Sequence, residues 1–214
     1  FNSVWILAFP VIISNLSRLI MSLVDVAMVG HIGPEALAAT GMGGMLAWGA
    51  LSIVLGIRTS VQTITSRRLG QKKPKECINA LNNGFLLASI YSIPISLLGW
   101  TYGYLIIPLF ITDSITTPIA ISYFSISSIG IFFNALSFVF QGFYTGIEKT
   151  KVHLSVTITS NIINAYLNAG FIYGKDKIGY LLGNQTNSVF DFSNLWFWAD
   201  FEGVGVTGAA IGTL

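Results

Sequence analysis

Hydrophobic residues run along this chain in long blocks, and the ionisable residues fall between the blocks. Residues 36–57, 78–112, 114–147 and 152–174 contain no Asp, Glu, Lys or Arg. None of these runs alternates apolar and polar positions with the period of two that a half-buried strand requires. A bilayer core of about 30 Å takes roughly 20 apolar residues of helix, and each run is long enough. Inside hydrocarbon every backbone polar group must be paired internally, which leaves helices or closed barrels. The ten-residue alternating segments of a barrel, about that length in known cases, do not occur in these runs. The pattern therefore predicts an all-α polytopic membrane protein. Spans are expected at about 4–29, 37–65, 78–98, 119–144 and 152–173, with the start of a sixth at 203–214.

Breakers and charges fill the gaps. His31-Ile-Gly33-Pro34 reads as a turn, Arg67 to Glu76 as a basic loop, Pro108 to Pro118 as a loop, and Gly146 to Lys151 as a short charged turn. Residues 174–202 read as an extracytoplasmic loop closing with Phe190, Phe192, Trp196, Phe197, Trp198 and Phe201. Aromatic rings at this density suit the headgroup region, so the stretch is expected to be an interfacial anchor. The glycines of span two (Gly41, Gly43, Gly44, Gly49, Gly56) are expected to permit close helix contact. The first run has neither a basic flank nor a small-residue cleavage site, so no signal peptide is read. Phe1 and the unflanked final run predict a piece of a longer protein.

Composition agrees with the pattern. Charged residues are 9% of the 214, against about 25% in soluble domains. Hydrophobic residues are 53% and the mean hydropathy is +0.70. A net charge of +2 is too small for a nucleic-acid footprint. The single cysteine, Cys77, rules out an internal disulfide framework. Position carries more information than the total. Arg67, Arg68, Lys72, Lys73, Lys75, Lys149 and Lys151 lie in gaps on one side, and only Lys175 and Lys177 on the other. The positive-inside rule places the richer side, and with it the N-terminus, in the cytoplasm.

Polar groups inside the spans are the candidate chemistry, because an ionisable side chain at membrane depth costs several kcal/mol unless it faces protein or water. Ser14, Arg18, Ser22 and Asp25 are spaced four, four and three residues apart and share one face of the first helix. Asp25 lies fifteen residues, about 22 Å, beyond Pro10, where a proline favours a hinge. Thr157, Asn161, Asn164 and Asn168 form a matching stripe on the fifth helix. Two chemistries suit the pair of stripes: a carboxyl that loads and unloads a proton, or a carboxylate that binds Na⁺ together with amide oxygens. Interhelical hydrogen bonding alone is the bland alternative. Arg18 is either a partner of Asp25 or snorkels to the interface, and Arg58 is expected to snorkel toward the cytoplasm. His31 and His153 belong to opposite faces and cannot share a metal. No P-loop, G-x-S-x-G or H-E-x-x-H occurs, so neither ATP hydrolysis nor an intramembrane enzyme is supported, and no cofactor is expected.

Five segments, in order, resemble the multidrug and toxic compound extrusion (MATE) family. They are Ala8-Phe-Pro10 with Leu23 through Ala39, Ser66 through Gly70, Gln141 through Lys151, Asn161 through Asn168, and Gly203 through Thr213. The resemblance implies a transporter of twelve helices in two lobes. This chain would be the N-terminal six-helix lobe, without its C-terminal partner, in a bacterial inner membrane. It implies H⁺- or Na⁺-coupled export of cationic or amphipathic small organic compounds by alternating access. It also implies cation-coupling roles for Asp25, Asn164, Asn168 and Thr213, a hinge at Pro10, and Arg18, Ser22 and Asn161 as polar cavity residues. Asn168 stands where many members have Asp, Thr145 where many have Arg, and His153 where many have Pro. A lipid-linked oligosaccharide flippase of related fold is the alternative. It would need more intramembrane cations to hold a pyrophosphate than Arg18 and Arg58 supply.

Overall fold

Among the described residues, the hydrophobic blocks fold as six α-helices. The computed structural model describes residues 2–183, 195–196 and 198–214, and no strand occurs among them. The helices are α1 (Asn2–Gly30), α2 (Pro34–Gly70), α3 (Pro74–Ile106), α4 (Thr116–Gly146), α5 (Thr150–Gly183) and α6 (Gly205–Thr213), with a 3₁₀ turn at Ile107–Leu109. Four stretches are long and apolar enough to cross a membrane: Ala8–Gly30, Pro34–Gly70, Pro74–Leu109 and Thr116–Gly146. The fifth helix, with its Asn stripe, is not among them.

The breakers act where their chemistry predicts. Pro34 and Pro74 each occupy the first turn of a helix, where a missing N–H costs nothing. Gly33 reverses the chain between α1 and α2 at φ 151°, ψ 167°, a backbone region closed to residues bearing a Cβ. Helical geometry also reaches further than hydropathy suggested. Arg67 and Arg68 form the last turn of α2, where cations suit the helix dipole, so the basic connection shrinks to residues 71–73. At the other end of the bundle α5 continues past Tyr173, kinks at Gly174 (φ 71°) and stays helical to Gly183, so the long polar stretch begins as helix.

Packing divides the bundle into two groups of three. One comprises α2, α3 and α4, and the other α1, α5 and α6; α4 against α6 is the main join, while α1 touches α2 only sparsely. The first group closes on small residues. Cys77, Ala80, Gly84, Ala88, Ser92, Ser96, Gly99 and Gly103 recur every three or four positions and form the buried edge of α3. There Ser96 donates to the Ser128 carbonyl at 2.6 Å. At Gly142 a Cβ would strike the Arg58 carbonyl, so α4 and α2 meet backbone to backbone. Between them lie Leu51, Val54, Val61, Ile131, Ala135, Phe138 and Val139. Of the five α2 glycines expected to mediate such contact, only Gly43 does, against Tyr123. A Cβ at Gly41, Gly44, Gly49 or Gly56 would meet nothing within 4 Å. Elsewhere large apolar side chains face outward, Leu23 69% and Met45 74% exposed, as lipid contact permits.

The described part of the aromatic stretch is folded onto α5. Trp196 Nε1 donates to the Tyr166 carbonyl at 2.8 Å and Trp198 Nε1 to the Tyr166 hydroxyl at 2.7 Å. The Trp196 ring stacks on Tyr166, with centroids 5.3 Å apart. These two indoles satisfy their N–H groups within the protein instead of at a headgroup, as buried tryptophans do. Phe190, Phe192 and Phe197 lie outside the described residues.

Candidate functional site: a polar seam between the first and fifth helices

The helical period places the polar residues of α1 and α5 on facing sides, and the fold brings the two stripes together. Asn161 Nδ2 donates to Ser17 Oγ at 2.8 Å. Two turns further, Asn168 Nδ2 donates to Asp25 Oδ1 at 2.9 Å and to Asn164 Oδ1 at 3.1 Å. Asn164 Nδ2 in turn donates to the Gly212 carbonyl of α6 at 2.9 Å. Beyond these, the Tyr173 hydroxyl donates to the Met28 carbonyl at 2.7 Å. The bonds Asp25–Asn168–Asn164–Gly212 form one chain that links α1, α5 and α6.

Asn168 is the hub, 1% exposed. A carboxamide offers two donors and an oxygen acceptor. Both of its recorded bonds use the nitrogen, and Asn168 Oδ1 has no partner. Buried side-chain oxygens are rarely left so. Gly212 is what admits this oxygen, since a Cβ there would collide with it. Asp25 itself is half-buried, sheltered by protein on one side and reachable from the other.

The remaining residues singled out from the sequence take varied places. Pro10 is buried in an α1 that runs through it as one continuous helix, and the Ser14 hydroxyl donates to the Pro10 carbonyl at 2.8 Å. Ser22 is exposed and joins no bond of the seam. Thr213 is exposed, its hydroxyl turned back to the Ala209 carbonyl of its own helix at 2.8 Å, so the structure does not bring it to Asp25. Arg18 reaches away from Asp25, to Gln141 Oε1 of α4 at 3.4 Å. Arg58 is half-buried within α2, twelve residues before its end.

Sequence reasoning passed over Ser17, Tyr173 and the Gly212 carbonyl. Ser17 stands one residue before Arg18, on the face already marked by Ser14. A backbone carbonyl leaves no trace in residue identity, so Gly212 was visible only as a glycine.

Comparison with known proteins accounts for the architecture. The MatE family model matches residues 10–169. A probable multidrug resistance protein NorM from Photorhabdus laumondii is 31% identical over 170 residues, covering 78% of this chain and 37% of that protein. A protein of the same description from Bacillus subtilis is 27% identical over 166 residues. The chain thus spans less than two fifths of the length of these curated relatives. Among solved structures, the outward-facing conformation of a MATE transporter of the MOP superfamily matches with a TM-score of 0.78 at 21% identity, over 97% of this chain and 40% of that one. A MATE structure described as the bent conformation matches with a TM-score of 0.73. With three quarters of its length, from Pro10 through Asn168, inside the family match, the chain belongs to the MatE family of multidrug and toxic compound extrusion proteins.

Proposed function

We propose that this chain is the cation-coupling lobe of a multidrug exporter, a secondary antiporter that uses an inward H⁺ or Na⁺ gradient to expel small organic compounds. The N-terminus lies in the cytoplasm of a bacterial cell, in its inner membrane, and substrate leaves from a cavity completed by a second lobe. The observation that carries this reading is Asn168 itself. Its nitrogen holds Asp25 while its oxygen stands unpaired. The same amide that donates to an ionised carboxylate offers an acceptor for the proton of the neutral acid, or an oxygen ligand for Na⁺ beside the carboxylate. Loading Asp25 therefore changes which bonds close between α1 and α5. Because α1 is bonded to α5 and only sparsely to α2, that change bears on the seating of α1, with Pro10 as the point of bending. Alternating access then follows from two arrangements of one seam, biased by cation occupancy.

The test is efflux by the full-length protein in vesicles, with a pH gradient and a Na⁺ gradient imposed separately. One gradient should drive export of an organic cation, and Asp25→Asn should abolish that export while the protein still inserts. Export by Asp25→Asn at the normal rate, or export that ignores both gradients, overturns the reading. The NorM names of the relatives support drugs as substrates over lipid-linked oligosaccharides.

A further inference from the structure

A groove lined by α2 and α3 alone lies apart from the polar seam, and the coupling scheme makes no use of it. It encloses about 680 Å³, within the roughly 300–1,000 Å³ of small-molecule clefts. Ile53, Ile57, Ile64 and Leu87 give it apolar walls, and Ile53, Ile64 and Leu87 are exposed. Gly84, where a Cβ would strike Val61, closes α3 on α2 along the groove. Gly56 lines it as well, and a Cβ there would meet nothing within 4 Å. The open side of Gly56, which serves no helix contact, is therefore groove.

The groove starts at charge and ends in hydrocarbon. From Arg68 it follows α2 to Ile53, about 22 Å of helix, and from Glu76 it follows α3 to Leu87, about 16 Å. One leaflet is half of a bilayer core about 30 Å thick, so a groove beginning at the charged turn reaches through that leaflet. Spread over the shorter length, its volume is a section of about 40 Å², roughly half that of a helix about 10 Å across. An extended hydrocarbon chain fits such a section, and a helix from a second lobe or a second copy does not. The mouth is positive. Glu76 lies 2.9 Å from Arg68 Nε and 3.1 Å from Lys73 Nζ, so one carboxylate serves two cations. Arg67, Lys72 and Lys75 are exposed beside them. Arg68 also donates to Gln71 Oε1 at 3.0 Å and retains further N–H donors. Asn79 and Asn83 line the groove about 5 and 10 Å beyond Glu76 along α3.

We propose that this groove holds one anionic phospholipid, its phosphate on Arg68 and Lys73 and one acyl chain between Ile53, Ile64 and Leu87. Five cations against one carboxylate leave an excess of positive charge at the mouth, and basic clusters of about this size beside a membrane helix attract anionic headgroups. The planar fork of an arginine matches paired phosphate oxygens. The carboxamides of Asn79 and Asn83 stand at the depth of the ester groups and supply donors to them. The leaflet follows from the cytoplasmic placement of this turn proposed above; the binding needs neither that placement nor transport.

The experiment uses the full-length protein in micelles, with phosphatidylglycerol and phosphatidylcholine as probes. Native mass spectrometry measures how much of each lipid is retained. A phosphatidylglycerol with a diazirine near the end of one acyl chain reports where that chain lies. Wild type should prefer phosphatidylglycerol by about tenfold, one charge-assisted hydrogen bond's worth, and the label should map to residues 53–64 and 79–87. Arg68→Gln with Lys73→Gln should abolish the preference. Arg67→Gln with Lys75→Gln, which removes the same charge from the same turn, should keep most of it. Gly56→Leu fills the groove and should lose the label, whereas Gly44→Leu, with open space outside the groove, should keep it. If Gly56→Leu does not fold, Leu87→Trp narrows the groove from α3. Equal retention of the two lipids, or labelling elsewhere in the chain, means that something else covers the groove, and the proposal falls. Equal losses from the two charge pairs, or a label that survives filling of the groove, overturn it as well. None of these readouts is efflux, so the site and the transport reading fail independently.

Discussion

Asn168 donates to Asp25 across 2.9 Å, and this bond joins the one carboxylate of α1 to the centre of α5. The bond sits where helix rotation alone would separate the two residues, so its loss should be felt in coupling more than in folding. Asn168→Ala removes a hydrogen bond to a charged group, worth about 1.5–3 kcal/mol. Efflux driven by the coupling gradient should fall tenfold or more by the same arithmetic, measured in vesicles at matched protein content. Unaltered efflux in that variant would reduce Asn168 to a packing residue.

Gly212 and Gly41 make a controlled pair. A Cβ at Gly212 would collide with Asn168 Oδ1 and approach the Asn168 backbone nitrogen to 3.0 Å, whereas one at Gly41 would meet nothing within 4 Å. Gly212→Ala should destabilise by about 1–3 kcal/mol through overpacking and push α6 away from the hub. Gly41→Ala should be neutral or stabilising by about 0.5–1 kcal/mol, the helix cost of glycine. Thermal melts of the two variants in the same detergent decide the matter, and equal melting temperatures would contradict the α5–α6 contact.

Outside the spans, Asp113 anchors the start of α4. Its Oδ2 accepts from the Thr116 amide at 2.8 Å and from the Thr116 hydroxyl at 2.6 Å. These bonds favour the ionised carboxylate and hold its pKa below the ordinary aspartate range. A depressed folded pKa contributes stability above the unfolded pKa of about 3.9, and that contribution is lost as pH falls through the folded value. The melting difference between wild type and Asp113→Ala should therefore be present near neutrality and shrink progressively below about pH 4. A difference constant across that range would assign the effect to helix propensity alone.

Orientation is testable with one engineered thiol. The native Cys77 is 4% exposed, so its background labelling is low. Lys72 is exposed at positive φ (58°) in the α2–α3 turn. In intact cells Lys72→Cys should resist a membrane-impermeant maleimide and react once the membrane is opened, as the positive-inside distribution requires. Labelling in intact cells reverses the topology, and with it the direction assigned to the coupling cation.

Much of this architecture is legible in residue order. Where ionisable residues are absent for a whole bilayer thickness, helix satisfies every backbone group internally, and α2, α3, α4 and α5 lie over the four runs without them. The stripe at Asn161, Asn164 and Asn168 is equally legible, because the helical period alone puts those side chains on one face. The Gly-rich run of α2 misled for the complementary reason. Glycine frees space on every face of a helix, and only the neighbour's position shows whether the space is used, as it is at Gly43 and not at Gly44.

The sequence by itself determined what each helix carries: its apolar surface, its polar face and the charges at its ends. These are local properties, dictated by hydrocarbon thickness and 3.6-residue periodicity. Tertiary structure decided which faces meet. It carried Arg18 away from Asp25 to Gln141, 123 residues distant in the chain. It paired Ser17 with Asn161 and turned Thr213 back onto Ala209. Helix rotation and crossing are set by the small-residue edges of all the neighbours at once, so no single stretch of sequence contains them.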